Sequence, residues 1–134
     1  MATVKRFEEL EVSNLARSQC NEVYTLMRAG AFKEDGDLRG QMNRSSASVM
    51  DNIGEGFERY TTGDFRHFLV MAKGSNREMR SQIHRMADRN PIPVEQYGSL
   101  ITANNRWAKN CTHLLNIWTE VNTRTRAAVV LKLP

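Results

Sequence analysis

Apolar residues recur at steps of three and four in four long stretches of this chain, the spacing of one buried face of a helix. In the first, about 7–29, Val12, Leu15, Ala16, Gln19, Val23, Leu26 and Met27 share a stripe. The pattern breaks over Gly30 to Asp37, where Asp35 or Asp37 is placed to cap the next helix. The second stretch, about 37–59, aligns Leu38, Met42, Ser45, Val49, Ile53 and Phe57. The third, about 62–89, aligns Phe65, Phe68, Leu69, Ala72, Asn76, Met79, Ile83 and Met86. Thr61 or Thr62 is its cap, and Asp64 falls in the first turn, where a negative charge suits the helix dipole. Asn90-Pro91-Ile92-Pro93 is the clearest breaker in the chain. The fourth stretch, about 94–121, has a wide apolar arc with Tyr97, Leu100, Ile101, Ala108, Cys111, Leu115 and Trp118. Trp107, Leu114 and Val121 form a second seam beside it at seven-residue spacing. The prediction is a single all-α domain over residues 1–134, an antiparallel up-down-up-down four-helix bundle with a tail at 122–134.

Several polar and small residues sit where a plain helical hairpin would carry aliphatics. Gly54 and Gly56 lie inside the second helix, each costing about 1 kcal/mol relative to alanine. A glycine there points to close approach of another backbone, or to fraying toward the corner. Asn52, Glu55, Ser75 and Glu78 form a polar constellation across the second and third helices. Buried polar groups must be hydrogen-bonded, so this set is expected to form a structural network fixing helix register.

Composition narrows the class. The chain has 134 residues, 40% hydrophobic and 25% charged, in the range of globular domains. Its formal charge of +4 permits nucleic-acid binding without requiring it. Cys20 and Cys111 lie far apart without a CxxC and read as reduced thiols of a cytoplasmic protein. No apolar h-region follows the first residues, so no signal peptide is expected. The longest apolar run, Ala127 to Leu131, falls far short of the roughly 20 residues that cross a bilayer.

Charge becomes informative on the helical wheel of the third stretch, at about 100° per residue. Arg66, Lys73, Arg77, Arg80 and His84 share one narrow arc beside the inner stripe, with no acidic residue among them. Aligned cations displace condensed counterions, so this arc is the candidate nucleic-acid-binding track. The competing reading is a solvated flank whose cations pair with acidic residues of a neighbouring helix. The opposite face carries Val70, Met71 and Gly74, apolar and small residues that an isolated bundle would leave in water. With the Trp107, Leu114 and Val121 seam they form the candidate oligomer interface.

Catalytic signals are missing. His67, His84 and His113 show no HExxH or paired ligand spacing. Glu55 and Glu78 lack the Glu-x-x-His partner of carboxylate metal sites. There is no Walker loop, GxGxxG or GxSxG. No catalytic residue, metal or cofactor is expected.

Two segments resemble a known family. Residues 45–59, SSASVMDNIGEGFER, resemble the second-helix signature of the bacterial four helix bundle protein family, R-x-A-x-S-V-x-x-N-I-A-E-G-x-x-R. The matching positions are Ser48, Val49, Asn52, Ile53, Glu55, Gly56 and Arg59, while Gly54 stands where the family has alanine. Residues 65–78 resemble the next helix, F-x-x-F-L-x-x-A-x-G-S-x-x-E, through Phe65, Phe68, Leu69, Ala72, Gly74, Ser75 and Glu78. The family includes ribosomal-like proteins encoded in intervening sequences of bacterial large-subunit ribosomal RNA genes. A distant relation is the accessory variability protein of diversity-generating retroelements, a barrel-shaped homopentamer that binds nucleic acid and a reverse transcriptase. The resemblance implies a homo-oligomer, a pentamer by analogy, without enzymatic activity. The leading expectation is a cytoplasmic, non-catalytic homo-oligomer that binds RNA or DNA backbone through basic surface stripes. The alternative is an interaction scaffold that recruits a protein partner without touching nucleic acid. Neither involves a membrane.

Overall fold

The computed structural model describes residues 4–59 and 61–120, without the side chains of residue 62 and residues 118–120. Among these residues the chain forms a short 3-10 helix, Phe7–Glu9, and four α-helices with no strand. The helices are α1 (Glu11–Arg28), α2 (Gly36–Glu58), α3 (Thr62–Arg89) and α4 (Val94–Glu120). Each packs on its neighbour in the chain, and α4 closes the ring against α1. That is the up-down-up-down four-helix bundle that the hydrophobic periodicity predicts.

The helix ends follow local chemistry. The first helix starts later than its pattern predicts, because Leu10 adopts an extended conformation (φ −78°, ψ 135°) that separates Phe7–Glu9 from α1. Leu10 is buried in the core at that corner. Asp35 takes the N-cap position of α2, but its side chain accepts no capping bond. Its carboxylate instead lies 3.9 Å from Arg89 Nη1 at the far end of α3. Thr61 caps α3, its hydroxyl accepting from the Asp64 amide at 3.1 Å. At the other end Asn90 is extended and its amide closes on the Met86 carbonyl at 2.9 Å, just before the two prolines.

The core divides into two apolar halves. One gathers Val12, Val49, Ile53, Phe57, Phe65, Leu69, Trp107 and Cys111 among others. The second gathers Val23, Leu26, Phe32, Leu38, Met42, Met79, Ile83, Met86 and Leu100. A polar layer lies between them in the register of every helix: Gln19 on α1, Ser45 and Ser46 on α2, Asn76 on α3 and Asn104 on α4, all buried. Phe32, in the turn between α1 and α2, has φ +43° and is 5% exposed. A bulky side chain in that left-handed region costs about 1–2 kcal/mol, offset here by burying the ring under the second half.

The tightest contact joins α2 to α3. A Cβ on Gly56 would lie 2.5 Å from Phe68 Cβ and 3.1 Å from the Phe65 ring. Glycine is therefore the residue that lets these helices meet, and Phe57 and Phe65 pack edge to face beside it at 5.7 Å between centroids.

Candidate nucleic-acid interface

The basic arc of α3 lies along its junction with α4, because residues three, four and seven apart share a helix face. Arg66 and Arg77 are exposed. Three of the five residues are braced by neutral groups of α4. Lys73 Nζ donates to Thr112 Oγ1 at 2.9 Å, and Arg80 Nη1 donates to Asn105 Oδ1 at 3.3 Å. His84 Nδ1 and the Tyr97 hydroxyl are 2.8 Å apart, with the two rings at 62° and 5.8 Å between centroids.

Among the described residues the ion pairs are Arg6–Glu9, Arg59–Glu55, Arg89–Asp35 and Arg106–Glu11. None takes a residue of the arc, so these cations form no ion pair across helices among the described residues. Neutral braces order Lys73, Arg80 and His84 without an ion pair among the described residues, which lowers the entropy lost when an anion binds. Lys109 lies outside the arc read from the sequence. It is exposed on α4, four residues from Asn105 and three from Thr112, so helical spacing puts it beside the two braces. Its place depends on α3 and α4 meeting along this edge, which the wheel of α3 does not contain.

Cys111 lies just behind Lys73. Its thiol approaches the Leu69 carbonyl at 3.8 Å, and burial pushes its pKa from 9.0 up to about 12, with the Lys73 charge only partly opposing. At neutral pH it is a protonated core residue, not a nucleophile.

The polar constellation across α2 and α3 is only partly joined. Asn52 Nδ2 donates to the Ser48 carbonyl at 2.9 Å and to Ser48 Oγ at 3.1 Å. Ser48 Oγ and Ser75 Oγ are 2.8 Å apart, which ties the helices together. Glu55 is not in this network: it is exposed and accepts from Arg59 Nη2 at 3.0 Å, one turn away on its own helix. Glu78 is exposed and joins no hydrogen bond among the described residues.

The candidate interface residues separate into two groups. Val70 and Met71 are 48% and 46% exposed, and a Cβ on Gly74 would meet nothing within 4 Å. Trp107 and Leu114, by contrast, are 0% and 3% exposed in the protomer's own core. Trp107 Nε1 donates to the Val12 carbonyl at 2.9 Å, so α1 covers this seam and no second copy can reach it. Val121 and the tail lie outside the described residues.

A ring of four antiparallel helices with a basic flank is the class that fold and site define. The family model for 23S rRNA-intervening sequence proteins matches residues 8–113, and the chain belongs to that family. The fold is also similar to the solved structure of a protein of unknown function of the S23 ribosomal protein family from Bacteroides thetaiotaomicron. That comparison has a TM-score of 0.72 at 19% identity, covering 78% of this chain and 97% of that one. None of the curated proteins matches the sequence. Among the described residues no three His, Cys, Asp or Glu side chains group to hold a metal, and no helix is long and apolar enough to cross a membrane.

Proposed function

We propose that this protein is a non-catalytic, homo-oligomeric helical bundle that binds the backbone of RNA or DNA along the α3–α4 flank. The observation that carries this reading is the row Arg66, Lys73, Arg77, Arg80 and His84, three of them held by neutral side chains of α4. Such a row contacts phosphates rather than base edges, so binding is sequence-tolerant and salt-sensitive. The exposed Val70 and Met71, with the open Gly74 beside them, support self-association through the outer face of α3. Repetition of the row around a closed oligomer raises the affinity through avidity. Light scattering with and without a short duplex tests both parts: the mass of an oligomer should rise with duplex at low salt and fall back at high salt. A monomer indifferent to duplex overturns the reading.

The same apolar patch favours a second reading, a scaffold that docks a protein partner on α3. It predicts an affinity for duplex that is weak and flat in salt.

A further inference from the structure

On the other flank of α3 a cleft of about 530 Å³ opens against α2, within the range of small-molecule sites. Its walls carry Gln41 and Arg44 from α2, and Glu78, Ser81, Gln82 and Arg85 from α3, with the Ser48–Ser75 pair at its floor. The hydrogen bonds inside it leave an excess of donors. Arg85 Nη2 donates to Gln41 Oε1 at 2.7 Å, and Ser45 donates its hydroxyl to Gln82 Oε1. Both glutamine oxygens are thus taken, and neither amide NH₂ has a partner among the described residues. Arg44 folds over Gly40, where a Cβ would lie 3.2 Å from its Nη1. Among the described residues neither Arg44 nor Arg85 has a carboxylate within 4.0 Å, and Glu78 has no cation there.

We propose that this cleft binds a phosphorylated sugar, with Arg44 and Arg85 on the phosphate and Glu78 accepting from sugar hydroxyls. Two guanidinium groups and two amide NH₂ groups match the oxygens of a single phosphate. The one carboxylate repels a second phosphate and favours a neutral, hydroxyl-bearing neighbour. Among the described residues no aromatic side chain lines the cleft, so they offer no platform on which a base would stack. These features separate it from the α3–α4 row, which follows a run of phosphates. The ligand is either a free sugar phosphate or the 5′-phosphorylated end of a nucleic-acid strand, which present the same group.

The test uses the full chain and amide NMR spectra with ribose 5-phosphate, ribose alone, and two identical short RNA strands carrying a 5′-phosphate or a 5′-hydroxyl. Ribose 5-phosphate should shift amides around Ser48, Ser75 and Gln82 saturably, and ribose should not. Arg44→Ala should weaken binding about tenfold, the order of one charge-assisted contact. Ser81→Glu, which places a carboxylate at the rim without removing a core group, should weaken it similarly. Arg77→Glu with Arg80→Glu should leave it unchanged, so failure of the nucleic-acid reading and failure of this site are distinguishable. A 5′-phosphate preference between the RNA strands, lost in Arg44→Ala, assigns the ligand to strand ends. Equal binding of the two strands, with ribose 5-phosphate still bound, assigns it to a free sugar phosphate. Absence of saturable shifts with both ribose 5-phosphate and the phosphorylated strand overturns the proposal, as does binding that neither Arg44→Ala nor Ser81→Glu reduces.

Discussion

Asn76 and Asn104 clasp each other across α3 and α4: Asn104 Nδ2 donates to the Asn76 carbonyl at 3.0 Å, and Asn76 Nδ2 returns a bond to the Asn104 carbonyl at 3.2 Å. Gln19 of α1 joins them, its Nε2 donating to Asn76 Oδ1 at 3.2 Å. All three are at most 2% exposed, so each amide depends on the others. Asn76→Leu should cost about 1–3 kcal/mol, because it strips the buried Gln19 Nε2 of its acceptor; Asn104→Leu should cost less, because Asn76 keeps its bonds to Gln19 and to the carbonyl of residue 104. The double variant should cost less than the sum, giving a coupling energy of roughly 0.5–3 kcal/mol in urea denaturation. Additive losses would mean that each side chain acts through the other residue's backbone carbonyl and not through the other side chain.

Gly54 and Gly56 of α2 should respond in opposite directions. At position 56 a Cβ would sit 2.5 Å from Phe68 Cβ, so Gly56→Ala must push α2 and α3 apart. The expected loss is about 1–3 kcal/mol. At position 54 a Cβ would meet the Phe7 ring at 3.5 Å, an ordinary contact. Gly54→Ala should therefore stabilise the helix by about 1 kcal/mol. Thermal denaturation of the two variants side by side measures both.

Burial of Cys111 makes stability fall in alkali. Its thiol is raised from 9.0 to about 12, so the folded chain holds a proton that the unfolded chain releases earlier. The contribution is fully present below pH 9 and is lost as pH rises through the interval from 9 to about 12. Cys111→Ala should flatten that part of the profile relative to the parent. In the folded protein at neutral pH a thiol reagent should label the partly exposed Cys20 and leave the buried Cys111 untouched.

Much of this architecture is legible in the sequence because α3 is strongly periodic: Phe65, Leu69, Ala72, Met79, Ile83 and Met86 are all 0% exposed. The basic arc is legible for the same reason, since it lies at a fixed angle from that stripe. The element that covers an apolar arc is not legible in this way. The wheel of α4 shows Trp107 and Leu114 as a seam, but α1 reaches it from 95 residues away in the chain. Asn104 continues the inner stripe of α4, three residues before Trp107, and is identifiable only by accepting a polar residue there. Phe32 carries no periodic signal because a turn with positive φ buries it. The cleft beside Arg44 and Arg85 depends on how two helices pack side by side, which neither pattern alone contains.

Reversing charge in the basic row should alter the salt dependence of nucleic-acid binding more tellingly than the affinity itself. Each phosphate neutralised contributes about −0.9 to the slope of log K against log salt for a duplex. Arg77→Glu with Arg80→Glu should make that slope shallower by about 2 and weaken binding sharply at low salt. Arg77 and Arg80 are exposed, so thermal stability should stay within about 0.5 kcal/mol of the parent. Fluorescence anisotropy across a salt series reads both quantities, and an unchanged slope would refute the assignment of the row.

The outer face of α3 distinguishes a self-associating bundle from a solitary one. Gly74 sits in the middle of a 28-residue helix, where glycine costs about 1 kcal/mol relative to alanine. Among the described residues no group lies within 4 Å of a Cβ placed there, so none of them requires glycine. Val70 and Met71 flank it in solvent. A second helix packed on this face would account for all three, since glycine permits close approach and the apolar neighbours are then buried. Val70→Asp should therefore reduce the mass measured by light scattering toward a protomer while the helical signal in circular dichroism persists. Gly74→Leu should do the same by steric exclusion, although it raises helix propensity. If both variants keep the parent mass, the interface lies elsewhere on the bundle, and α3 presents its outer face to solvent or to a different protein.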